Sequence, residues 1–139
     1  MTVSTHKLEF QTQGDAEMQD ITDAVAQVTT ASEVSDGIVT VFCPGSTGGV
    51  TTIEFEPGAL ADLRRLFDEI VPQDREYQHN RRWGDGNGHS HVRAALLGPS
   101  LTIPLVNGRL MLGTWQQIVH IDFDNRPRRR QVVVQIVGE

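Results

Sequence analysis

The dipeptide Asn107-Gly108 lies between two runs of strand-forming residues, 101–105 and 109–112. A two-residue hairpin turn of the favoured type needs positive φ at both central positions, which Asn and Gly tolerate best, so this pair predicts a tight β-hairpin. The neighbouring stretches 91–97, 114–122 and 130–137 also read as strands, which makes the last third of the chain strand-like throughout. Earlier, residues 3–12 alternate, with Leu8 and Phe10 on one face and Lys7 and Glu9 on the other. Ile38 to Cys43 is rich in β-branched residues, and a glycine-rich turn over 44–49 leads into a further strand, Val50 to Glu56.

Two helix patterns interrupt the strands. Met18, Ile21, Val25 and Val28 recur at helical spacing behind Asp15, a residue suited to capping. Pro57 opens a second pattern, in which Leu60, Leu63, Leu66, Phe67 and Ile70 make one apolar stripe that stops by Pro72. Strands outnumber helices and do not alternate with them regularly. This predicts an α+β fold with a mainly antiparallel, β-sandwich-like core and two helices, not a doubly wound sheet. Residues 73–88 read as a long polar loop, and such loops in compact domains are commonly functional.

The chain of 139 residues fits a single domain over 1–139 that can bury a core without staples, so a bound metal would be functional rather than structural. A net charge of −6 argues against a general nucleic-acid binder or a protein drawn to anionic membranes. Lys7 is the one lysine, and the rest of the basic charge is arginine. The cluster Arg126, Arg128, Arg129 and Arg130 reads as a solvated turn entering the last strand, in preference to an anion site. The single cysteine, Cys43, has no partner for an internal disulfide and ends an apolar run, which predicts a buried, inert thiol in a reducing cytoplasm. No apolar stretch approaches a membrane span, and the first residues lack the basic start and apolar run of a signal peptide, so a cytoplasmic protein is expected.

His89 and His91 are two apart, and on an extended segment both imidazoles would share one face. His79 lies in the same polar loop. Three neutral imidazoles without cysteine are a common catalytic zinc set with one coordination position open, and nickel, iron and manganese accept the same ligands. Solvated surface histidines are the alternative. His120, in an apolar run, reads as a hydrogen-bonded core histidine. The turn Gly45-Ser46-Thr47-Gly48-Gly49 could present backbone N–H groups to an anion, with Ser46 and Thr47 supplying hydroxyls, although simple chain reversal explains it equally well. It lacks the lysine and following helix of a phosphate-binding P-loop, and Ser46 lacks the context of a hydrolase nucleophile. Glu54 and Glu56 fall on one strand face, Glu54 being the better candidate for a pocket. Trp115, beside Gln116, either fills core or stacks on a ligand ring.

The ordered run Leu97-Gly98-Pro99-Ser100, Ile103-Pro104, Asn107-Gly108, Leu110, Leu112-Gly113-Thr114-Trp115-Gln116 and Ile118 resembles the signature of the YjbQ family. Tyr77, His79-Asn80 and His89-Ser90-His91 upstream, Val50 to Glu54, and the ending Val137-Gly138-Glu139 fit as well. The resemblance implies a sandwich-like α+β fold, homotrimers, and a histidine-bound divalent metal, zinc first among the candidates, in a pocket near the subunit boundary. It also implies a secondary thiamine-phosphate synthase activity. That activity joins a hydroxymethylpyrimidine diphosphate to a thiazole phosphate with release of pyrophosphate. By the same resemblance His79, His89 and His91 are metal ligands, and Asn80, Thr114, Trp115 and Gln116 are pocket residues. One departure stands out: Gly45-Ser46-Thr47-Gly48 replaces a His-Thr-Thr-Ala run, so an imidazole is missing. A non-catalytic trimer that holds a metal or small ligand is therefore the competing expectation.

Overall fold

The computed structural model describes residues 1–139. In chain order the elements are β1 (Thr2–Thr12), β2 (Glu17–Asp20), α1 (Thr22–Ala31), β3 (Gly37–Phe42), β4 (Gly48–Ile53), α2 (Pro57–Ile70), α3 (Gln78–Trp83), α4 (Gly88–Leu97), β5 (Ser100–Val106), β6 (Arg109–Leu110), β7 (Gln117–Asp122) and β8 (Arg128–Gly138). One sheet has the order β1-β8-β3-β5-β6 and the other β2-β7-β4, with every pairing antiparallel. The fold is thus α+β with an antiparallel core, as the strand pattern requires.

The layering follows from which residues alternate. Val39 and Val41 of β3, Val132, Val134 and Ile136 of β8, and Ile103 and Leu105 of β5 point inward from the larger sheet. They meet Val50 and Ile118 from the smaller sheet and Ile21 and Val25 beside α1. The far face of the smaller sheet sends Val119 and Ile121 into a second core with Phe123, Phe67 of α2 and Ala94 of α4. Strand β7 is therefore sandwiched on both faces, which is why Ile118 to Ile121 reads as a continuous buried run rather than an alternation.

The hairpin forms as its turn chemistry demands. Asn107 (φ 51°) and Gly108 (φ 75°) take positive φ, and Val106 pairs with Arg109. Two expected boundaries move. The first helix begins at Thr22, not near Asp15. Gly14, Asp15 and Ala16 all have positive φ, and the Asp15 N–H donates to the Asp124 carbonyl at 2.7 Å, so this segment is a turn and Met18 lies in β2. Strand β4 ends at Ile53, so Glu54 and Glu56 do not share a strand face. Glu56 instead caps α2, accepting from the N–H groups of Gly58 and Ala59 at 2.7 Å each.

The largest change is at 73–97, expected as loop and then strand, where two more helices form, α3 and α4. His89, Ser90, Arg93 and Ala94 are the buried side of α4, a helical and not an alternating spacing. Gly98, at φ 102°, ends the helix, and its N–H donates to the Ala94 carbonyl. No helix is long and apolar enough to cross a membrane.

Strands β3 and β8 come together at a glycine pair, Gly37 opposite Gly138. A Cβ on Gly37 would lie 2.1 Å from the Val137 carbonyl oxygen, and one on Gly138 would lie 2.1 Å from that of Asp36. Gly37→Ala is expected to cost about 1–3 kcal/mol as overpacking, read as a lowered denaturation midpoint. An unchanged midpoint would show that the strand ends can separate freely.

Candidate functional site

Two short helices and the glycine turn meet at one end of β4. The Asn80 side-chain oxygen accepts from the Gly88 N–H at 2.8 Å and ties α3 to the start of α4. Gly88 has to be glycine here, because an added Cβ would lie 2.4 Å from Tyr77 Cβ. This tie sets His79 of α3 against His91 of α4, with ring centroids 4.4 Å apart. His91 Nδ1 lies 3.1 Å from the Ser46 carbonyl. A carbonyl only accepts, so Nδ1 carries the proton and Nε2 keeps a lone pair. His79 Nδ1 is 3.2 Å from Asp85 Oδ1 but makes no hydrogen bond. A cleft of about 280 Å³ opens beside His91, lined by Gly45, Ser46, Gly48, Ala94, Ala95 and Pro99.

His89 takes another direction. Residues two apart on a helix are rotated by about 200°, so His89 turns inward where His91 turns out. Its ring is buried near Tyr77, and its Nδ1 has no hydrogen-bond partner. Burial, reinforced by the nearby Arg93 guanidinium, pushes its pKa down, with the Gly86 carbonyl opposing in part. The rings of His79 and His91 thus lie against each other, and His89 is on the buried side of α4. As the side chains lie, no three His, Cys, Asp or Glu residues stand at metal-ligand spacing.

Beneath the turn runs a buried polar network that sequence reasoning missed. Asp122 accepts from Thr12 Oγ1 (2.5 Å), from the Asp124 N–H (2.9 Å), and from Arg130 through Nε (2.5 Å) and Nη2 (2.7 Å). Asp124 accepts from Thr47 Oγ1 (2.9 Å), Asn87 Nδ2 (3.2 Å) and Arg128 Nε (3.1 Å). Arg130 also donates to Thr47 Oγ1 at 2.7 Å. Burial alone would raise both carboxylate pKa values. The Arg130 and Thr12 bonds at Asp122, and the Asn87 and Thr47 bonds at Asp124, outweigh it and hold both below the usual range. Arg128 and Arg130 therefore do not belong to a solvated turn: they neutralise the two aspartates. Arg129 alone of this trio points outward, to Glu9. The legible signal was Asp122-Phe123-Asp124 followed at the same two-residue spacing by Arg126, Arg128 and Arg130, across the turn from β7 to β8.

The other expected pocket residues lie elsewhere. The β4–β7 register sets Gly48 against Asp122 and Ile53 against Gln117. Ser46 and Thr47 are thus at one end of a six-residue strand and Glu54 at the other, a separation of about 20 Å. Glu54 and Trp115 line a depression of about 400 Å³ with Asp20, Phe55, Glu56 and Gln117. Trp115 is 71% exposed, so it does not fill core. Thr114 is exposed beside it, and Gln116 donates to Thr52 Oγ1 while accepting from the Gly113 N–H, both at 3.0 Å. Within one chain the expected single pocket divides between the two ends of β4.

A family model described as UPF0047 protein YjbQ-like matches residues 6–139. The chain belongs to the YjbQ-like UPF0047 family. A UPF0047 protein of Methanothermobacter thermautotrophicus is 39% identical over 139 residues, covering 100% of this chain and 95% of that one. The UPF0047 protein YugU of Bacillus subtilis is 33% identical over 132 residues, covering 94% of this chain and 97% of its own. Among solved structures, a YbjQ-like protein of Sulfolobus solfataricus superposes with a TM-score of 0.90 at 30% identity, covering 99% of this chain and 100% of that chain. A yjbq/upf0047 family protein of Clostridium acetobutylicum superposes with a TM-score of 0.87 at 38% identity, covering 95% and 99%. The fold of this UPF0047 chain is therefore the family fold.

Behind the glycine turn, His120 is fully buried, with Nε2 3.5 Å from Cys43 Sγ and the edge of Phe10 against its ring. It is the buried, hydrogen-bonded core histidine expected from sequence, bonded through Nε2, with Nδ1 left without a partner. Cys43 is buried as expected, which pushes its thiol up. Burial pushes the His120 pKa down from 6.5 to about 4. The unfolded state then binds the extra proton between these values, so stability is full above pH 6.5 and falls as pH drops towards 4. The loss should approach roughly 3 kcal/mol. Urea denaturation across that window, with His120→Gln flattening most of the slope, checks it. An equal slope in the variant would assign the loss to other groups.

Proposed function

We propose that this chain is a metal-binding enzyme that acts on a small phosphorylated ligand at the His79–His91 end of β4. The observation that carries the reading is the His91 imidazole. Its Nδ1–H is held by the Ser46 carbonyl, and its free Nε2 stands beside a second, partly exposed histidine at a cleft mouth. The donor set suits a divalent metal, zinc first among them: His79 and His91 hold it, with the Asp85 carboxylate as third donor once the side chains rotate. Such a metal supplies positive charge against a diphosphate. The reaction that suits this site is thiamine-phosphate synthesis. The thiazole nitrogen attacks the pyrimidine methylene carbon, a C–N bond forms, the C–O bond to diphosphate breaks, and pyrophosphate leaves. The Asp122–Asp124 network holds the turn and the start of α4 still while this happens. Trp115 and Glu54 could reach this ligand only from a second copy, which favours a homotrimer with the site at the subunit boundary, in the reducing cytoplasm where Cys43 stays free.

A second reading has its own support. Gly45 stands where an imidazole is expected, and His91 is the one titratable residue that lines the cleft. A trimer that binds a metal or small ligand without turnover fits that poverty of acid–base groups.

Elemental analysis of purified protein should find about one divalent metal per chain. His79→Ala and His91→Ala should abolish it, and His89→Ala should keep it. Metal-loaded protein is then supplied with both thiamine precursors and assayed for pyrophosphate. Product that vanishes with the metal supports the enzyme; bound metal without product leaves the non-catalytic reading. Metal retained by His79→Ala and His91→Ala would move the site elsewhere.

A further inference from the structure

We infer that Trp83, with Arg82, is the ligand-stacking face of the histidine site, and that its ligand is a flat ring bearing an anionic group. This rests on the reading of His79 and His91 given above. Trp83 follows His79 by four residues on α3, and residues at that spacing stand side by side on a helix. It belongs to neither core cluster and is 67% exposed, a large apolar surface left in water directly beside the histidine pair. The Arg82 guanidinium carbon lies 5.7 Å from its ring centroid. Arg81, by contrast, is engaged by Glu76, which leaves Arg82 as the α3 cation without a carboxylate partner.

The chemistry of this set is selective. An exposed indole contributes by stacking on a planar ring. An arginine without a carboxylate partner offers forked donors to phosphate or carboxylate. The other tryptophan cannot take this part within the chain, because it lies at the far end of β4, about 20 Å from the turn that His91 touches. Gly84 ends α3 with φ 65°, and a side chain there would meet nothing within 4 Å, so the approach to Trp83 is open.

The chain has two tryptophans, so each can be observed alone. Metal-loaded wild type, Trp83→Ala, Arg82→Ala and Trp115→Ala are titrated with thiamine monophosphate, adenosine monophosphate and inorganic phosphate by calorimetry. Trp115→Phe and Trp83→Phe are followed by fluorescence. The expected result is saturable binding of at least one ring-bearing monophosphate and weaker binding of phosphate alone. Trp83→Ala and Arg82→Ala should each lower affinity about tenfold. Trp115→Ala should lower it less than Trp83→Ala does, and quenching should appear in Trp115→Phe, which retains Trp83. Equal affinity in Trp83→Ala, quenching of Trp115 instead, or an altered assembly state in Trp83→Ala without loss of affinity overturns the inference. Metal uptake with no binding of any probe also overturns it, while the metal site stands. Failure of wild type to take up metal falls on the earlier reading instead, and is scored separately by the metal analysis.

Discussion

The buried pair Asp122–Arg130, extended through Asp124 to Thr47 and Asn87, is the interaction on which the candidate site depends. Two carboxylates in a dry interior would be costly if left alone, and two arginines entering on β8 neutralise them. The arrangement works because β7 and β8 belong to different sheets and converge at the same end of the sandwich. The network therefore does what apolar packing cannot: it fixes a glycine-rich turn, which has little side chain to pack, and the first residues of a helix. Breaking one partner would strand the other's charge in the core, so turn, helix start and sheet end are held as one unit.

What was legible in the sequence follows from how local the information is. The hairpin at Asn107-Gly108 was readable because positive φ at two adjacent residues is a property of those residues alone. The stripe of α2 was readable from its apolar spacing alone, although only Phe67 is buried, Leu60 and Leu63 are half-buried, and Leu66 and Ile70 stay exposed. Helix α4 was not, because its apolar half, Val92 to Leu97, is short, and short apolar runs look alike in strand and helix. The misread period carried a chemical error with it: histidines two apart share a face in a strand and oppose each other in a helix. The family resemblance located the right region but could not say which histidines meet.

The candidate site was half legible for a related reason. His79, His91, Ser46 and Asn80 come together through contacts between neighbours in the chain or through one strand end. Glu54 and Trp115 were grouped with them only by family order, and the β4–β7 register separates them. The acidic and basic residues of the network were each visible, yet the bland reading of Arg128 and Arg130 as surface residues could be overturned only by tertiary pairing across β7 and β8.

The sheet order holds one more consequence, for the way the chain is made. Strand β1 pairs only with β8, residue 2 with residue 138 and residue 12 with residue 128, so β1 is synthesised well before the one strand it pairs with. Until β8 is made, an eleven-residue strand has no ladder to join, and the inner valines of β8 do not yet exist to cover Leu8 and Phe10. Closing so long a loop is slow, and open strands are the segments that associate with other chains. The alternation of Lys7 and Glu9 with the apolar residues keeps one face of that waiting strand charged, which protects the nascent chain from its own copies on neighbouring ribosomes.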